Sequence, residues 1–242
     1  MSTEREQAGG RTGSGVRRRQ AERADSTRRK LLSVARTLFA ERGYDATPIE
    51  EVLERTGLSK GAFYHHFPDK RELLAAVYED VEQDLVVMLA SAGRERTDPI
   101  EQIERGCQAF LDACLDPAVR RIALVDAPAV LGWRRWRAID AQYGFGLLLA
   151  GLRSAARAGR IPADVLEERG HLLLASLMEA ALLVGEAADP VAMRASVGRV
   201  VSEQIWGLAG GAPSSLASAA PPAAPRRPAE PGPTASDSDP AR

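Results

Sequence analysis

The chain has 242 residues, 45% of them hydrophobic and 27% charged, with a net charge of −1. That length allows one or two domains with a substantial core. It contains no uninterrupted run of 18 apolar residues, which argues for a soluble cytoplasmic protein and against a membrane span, and its first 25 residues lack the apolar stretch of a signal peptide.

Residues 1–25 are polar and rich in Gly and Arg, and are expected to form a disordered basic arm. Arg17, Arg18, Arg19, Arg23, Arg28 and Arg29 could reach a nucleic-acid backbone or minor groove, or simply keep the chain soluble. Leu31, Ala35, Leu38 and Phe39 then mark the apolar face of a first helix, closed by Gly43-Tyr44. Thr47-Pro48-Ile49-Glu50 reads as a capping box that opens a second helix. This helix stops at Gly57, which can take the left-handed conformation, with Leu58 folding back on Leu53. Ser59 is the expected N-cap of a third helix through Phe67.

Two short helices joined by a tight glycine turn form a helix-turn-helix, whose second member enters the major groove of double-stranded DNA. Gly61 and Ala62 are small enough for close approach to base edges, and Lys60 is long enough to reach a guanine or a phosphate. Phe63 and Phe67 face inward, leaving Tyr64, His65 and His66 for phosphate oxygens. Pro68 breaks the helix, and Asp69 caps the next one with Glu72. Lys70 and Arg71 in its first turn oppose the helix dipole, as a bound phosphate would explain. Residues 1–74 carry +4 and the remainder −5, which suits DNA contact at one end.

These motifs, from residue 26 to 74, resemble the DNA-binding domain of the tetracycline-repressor-like (TetR) family of transcriptional regulators. The resemblance implies an all-α homodimer in which Thr47, Lys60, Tyr64, His66 and Lys70 contact operator DNA, mostly at phosphates. Many members carry Thr where this chain has Ala62, so any hydroxyl contact from that position is lost.

Residues 75–208 are expected to form a larger helical domain for effector binding and dimerisation. One long helix, Lys70 to about Ala92, links it to the first domain. Asp98-Pro99 opens a helix bearing Ile100, Ile103, Cys107, Phe110, Leu111 and Cys114 at a 3.6-residue period. Asp116-Pro117 opens a shorter one ending around Pro128, and a further helix is expected from about Gly132 to Arg157. Cys107 and Cys114 lie about 10 Å apart along one helix, too far to pair; they read as buried thiols or, less simply, as redox sensors.

The segment 164–187 is apolar nearly all round, so it must be covered on two sides. With 190–208, including Val197, Val200, Val201, Ile205 and Trp206, it is expected to build a two-fold dimer interface. Met88, Phe110, Trp133, Trp136, Tyr143 and Met178 are candidates for an apolar or aromatic effector pocket, with Asp126 and Glu179 as polar fixers; the same residues would serve equally as core. Residues 209–242 are almost all Ala, Pro, Ser and Gly and are expected to be a disordered tail.

No cofactor or metal is expected. His65 and His66 point about 100° apart on a helix with no third ligand nearby, and no phosphate loop or nucleophile elbow occurs, so an enzyme is not indicated. The leading reading is a repressor released from a palindromic operator by a small molecule. An activator or a ligand-independent regulator of the same fold is the alternative.

Overall fold

The computed structural model describes residues 9–210, except the side chains of 9–17 and 19. Among these residues there are helices and no strand. The expected tail lies outside the described residues from 211 onward, as do residues 1–8 of the expected arm.

Helix α1, Gly9–Arg42, begins well inside the segment expected to be disordered. Its Arg, Gln, Glu and Ala residues are good helix formers, and Arg18 pairs with Glu22 one turn on at 3.4 Å. The composition that reads as unable to fold alone therefore extends a helix that is anchored further along. The anchor is the stripe Leu31, Ala35, Leu38 and Phe39, all fully buried.

Helix α2, Ile49–Thr56, starts without a side-chain cap. The capping-box expectation fails because Thr47 is fully buried and its hydroxyl donates to Gly43 O at 2.8 Å and Leu38 O at 3.4 Å. The hydroxyl thus ties the turn after α1 back onto the last turns of that helix. Gly57 has φ +66°, and the Leu58 amide donates to Leu53 O at 3.3 Å, so the reversal into α3, Lys60–His66, closes as expected. Ser59 accepts from the Ala62 amide at 3.2 Å, and Asp69 from the Glu72 amide at 2.8 Å at the start of α4, Lys70–Ala92.

Helix α5 spans Pro99–Ala113. The next segment departs from expectation: α6, Pro117–Arg120, runs into a π-helical stretch, Arg121–Asp126, and on into α7, Ala127–Leu131. The widened turn places Pro128 in the first turn of α7, where its missing N–H is not needed. The chain therefore passes Pro128 and stops at Gly132, φ +75°.

The single helix expected over 132–157 is two, α8 Trp133–Asp140 and α9 Gly144–Arg157. Gly146 shows why the break persists, since a Cβ there would meet Ala141 O at 2.8 Å. Helices α10, Leu166–Glu186, and α11, Pro190–Leu208, complete the chain.

Two principal cores result. One joins α1 to α4 with the π-helical stretch, α7 and α8; the other joins α5, α9, α10 and α11. Val201, Ile205 and Trp206, expected at a dimer surface, are buried in the second core.

Candidate DNA-binding face and ligand cavity

Helix α3 is held from beneath by Phe63 and Phe67, both buried, with ring centroids 6.0 Å apart. That leaves Ser59, Lys60, Gly61, Tyr64 and His65 exposed and Ala62 and His66 half-buried on one outward surface. The Lys60 ammonium is not idle: it pairs with Glu50 of α2 at 2.9 Å, which holds the lysine above and the glutamate below their ordinary pKa ranges. Burial lowers His66, aided by neighbouring His65 and Arg28.

Lys70 lies half-buried with its ammonium 4.0 Å from the Tyr44 ring centroid, and burial lowers its pKa. Arg71 serves another purpose than the expected phosphate contact. It donates to Val130 O at 3.1 Å and Leu131 O at 2.6 Å, satisfying the C-terminal carbonyls of α7. Thr47, turned inward, is absent from this surface. Arg28, whose guanidinium sits 5.4 Å from the Phe67 ring, flanks the face from α1.

Between the two cores lies a cavity of about 470 Å³, within the usual range for small-molecule sites. Phe110, Trp136 and Met178 line it as expected. The other three candidates do not. Met88 is 40% and Trp133 63% exposed, while the half-buried Tyr143 hydroxyl accepts from Gln83 at 3.1 Å.

The polar groups also differ from expectation. Glu179 is exposed, and Asp126 points away to accept from the Tyr44 amide at 2.8 Å. In their place stand Glu82 of α4 and Asp140 of α8, both buried, with Tyr78 beside them. Burial, with Asp140 nearby, pushes Glu82 up to about 7. Burial also raises Asp140, against Arg137, which donates to it at 3.0 Å. Gly144 admits this pair, because a Cβ there would lie 3.2 Å from the Glu82 and 3.3 Å from the Asp140 carboxylate. Sequence reasoning missed both acids; Gly144 and Gly146 after Asp140 were the available signal of a tight turn. Cys107 also lines the cavity, and burial pushes both cysteine thiols up to about 12.

Residues 31–77 match the family model of bacterial regulatory proteins of the tetR family, and residues 100–208 match a tetracyclin repressor-like C-terminal domain. A crystal structure of a TetR-family transcriptional regulator from Pectobacterium atrosepticum is 30% identical with a TM-score of 0.66, covering 78% of this chain and 96% of that one. The chain belongs to the TetR family of transcriptional regulators. Its relatives include the transposon Tn10 TetC protein of Escherichia coli, 32% identical over 51% of this chain and 62% of that protein, so the match spans under two thirds of that relative's length. The transcriptional regulator TtgR of Pseudomonas putida is 28% identical over 65% of this chain and 79% of its own.

Members of the TetR family are transcriptional regulators rather than enzymes, and this chain is a helix-turn-helix regulator of that family. Among the described residues of this regulator, no helix is long and apolar enough to cross a membrane. The segment 117–131 belongs to the first core and is fastened to the DNA-binding helices. Arg121 donates to Ala40 O at 3.0 Å and Glu41 O at 2.7 Å at the end of α1, and Arg135 of α8 forms a two-pronged pair with Glu72. The same segment forms a wall of the cavity through Ala123 and Leu124, and Trp136 donates to Ala123 O at 3.1 Å.

Proposed function

We propose that this regulator is a homodimeric repressor that binds a two-fold operator through α3 and is released when a small molecule occupies the cavity. Ser59, Lys60, Gly61, Ala62, Tyr64, His65, His66 and Lys70 form the DNA contacts. Lys60 exchanges Glu50 for a base edge or phosphate on binding, and the half-buried Lys70 positions the start of α4 against the backbone.

The observation that carries the proposal is that one segment serves both sites. Residues 121–126 wall the cavity with Ala123 while gripping the end of α1 and the turn after it through Arg121 and Asp126. A ligand that fits better when Ala123 and Trp136 move apart thereby favours a different seating of the DNA-binding helices. Differential affinity of this kind is what a population shift requires.

Dimerisation rests on α10 and α11. Leu172, Leu183, Val191 and Val200 are exposed on these helices, interspersed with Ala175, Ala195 and Ser196. A surface of small and apolar side chains suits close helix packing across a two-fold axis.

The test begins with selection of bound fragments from genomic DNA by the purified protein, followed by footprinting. A protected inverted repeat with half-sites about one or two DNA turns apart is expected, with increased reporter output on deletion of the regulator. Output that falls on deletion would establish an activator instead, and protection without sequence preference would exclude operator recognition.

A further inference from the structure

We propose that the cavity takes an apolar molecule with one positive charge, a protonated amine whose ammonium pairs with Glu82. This inference rests on reading the cavity as the effector site, and adds the charge of its occupant.

Glu82 sits in the middle of α4, 6% exposed, on the cavity wall. Its carboxylate accepts from the Gly144 amide at 3.3 Å and has the Tyr78 hydroxyl as a hydrogen-bond partner. Neither is a cation. The groups facing it from the surrounding elements do not supply one. From α8 comes Asp140, a second acid, whose guanidinium Arg137 is committed to Asp140 at 3.0 Å and to His171 Nδ1 at 2.6 Å. From the end of α5 comes the buried Cys114 thiol, and behind it from α6 the Arg120 guanidinium, which is engaged with the Cys114 carbonyl. Arg94, the one basic residue of the lining, is exposed and twelve residues further along, roughly 18 Å at a helical rise.

The buried wall thus holds two carboxylates, and the Arg137 guanidinium outside the lining is taken up by one of them, Asp140. An anionic ligand would add a third negative charge to a desolvated site, which is strongly opposed. A neutral ligand leaves Glu82 where burial has put it, near the point of protonation. An ammonium supplies the missing counter-charge, lets Glu82 ionise, and makes a charge-assisted hydrogen bond. Phe110, Trp136 and Tyr78 line the same space, and their ring faces suit both an aromatic body and a cationic head.

The experiment uses three para-substituted biphenyls that differ in one head group: biphenylmethanamine, biphenylmethanol and biphenylcarboxylate. Each is titrated calorimetrically into the full-length protein at neutral pH. The amine should bind about ten-fold or more tighter than the alcohol, with the carboxylate weakest. Amine binding should expel the Glu82 proton, so its heat will depend on the ionisation heat of the buffer and its affinity will rise from about pH 6 to about pH 8; the alcohol should show neither effect. Glu82→Gln should erase the amine's advantage and leave the alcohol within about three-fold.

An amine that binds no better than the alcohol, or without proton release, overturns the charge assignment while the cavity reading stands. Gly106→Leu tests that reading separately, since Gly106 lines the cavity and an added Cβ meets only Leu89 O at 3.7 Å. It should abolish binding of all three probes. Binding retained in Gly106→Leu places the probes elsewhere, and no binding to the wild type overturns both readings.

Discussion

Lys60 pairs with Glu50, 2.9 Å away on the neighbouring helix, and in the proposed operator complex it exchanges that partner for DNA. The exchange sets opposite expectations for the two residues. Lys60→Ala should weaken operator binding roughly ten- to a hundred-fold, with relaxed preference at one base pair if it reads a base, or a salt slope lower by about one if it holds a phosphate. Glu50→Gln removes a competing carboxylate and should strengthen binding and quicken association. Titrations of labelled operator at several salt concentrations distinguish these cases, and unchanged affinity in both variants would remove the pair from the interface.

Glu82 carries a different kind of consequence. Its folded pKa, about 7, lies above the ordinary value of 4.5, so the folded protein binds more protons than the unfolded chain between those values. Stability contributed by the protonated form is therefore lost as pH rises from about 4.5 through about 7, with a span on the order of 3 kcal/mol. Thermal unfolding of the wild type against Glu82→Gln should show this difference growing over that window. A difference that stays flat with pH would place Glu82 in a wetter site. Residues of this kind are the least legible in a sequence. Phe110, Trp136 and Met178 could be picked because apolar periodicity marks the inward face of a helix. Met88 and Trp133 satisfied similar patterns yet stayed exposed, because periodicity does not say whether another helix covers that face. An isolated Glu or Asp within an amphipathic helix reads as solvent-facing, and the opposite was true of Glu82 and Asp140.

At the scale of elements, the segment 117–131 is held to the DNA-binding helices by side chains rather than by packing alone. Asp126 accepts the Tyr44 amide at 2.8 Å, just past Gly43 at φ +84°. Removing it leaves a half-buried amide without its partner, at a cost of about 1 to 3 kcal/mol. Asp126→Ala should accelerate hydrogen exchange at the Tyr44 amide, and weaken coupling between cavity occupancy and operator affinity, while probe binding in the cavity persists. Unaltered exchange at Tyr44 would mean that the turn is fixed by Gly43 and Thr47 without help from the π-helical stretch. The starts of α3, α4 and α5 were readable to the residue from Ser59, Asp69 and Asp98-Pro99, because a cap fixes a boundary locally. The π-helical stretch and the break at 141–143 were not, since they depend on what Trp136, Glu82 and Asp140 meet across the cavity.

In the proposed dimer two recognition helices act on DNA as a pair, and the surface proposed to join them is the exposed side of α10 and α11. Leu172 is 72% exposed there, so changing it should cost the monomer fold little. Leu172→Arg would place a charge within the proposed interface, and burying an unpaired charge disfavours association. Sedimentation at micromolar concentration should then show monomer where the wild type is dimeric. Operator affinity should fall about a hundred-fold or more, because the second half-site no longer benefits from the effective concentration that the dimer provides. Val125→Arg offers a matched control, since Val125 is also exposed but lies on the π-helical stretch away from α10 and α11. It should remain dimeric. A dimer that survives Leu172→Arg would move the interface off α10, leaving the outward apolar residues of α11, Val191 and Val200, as the next surface to alter.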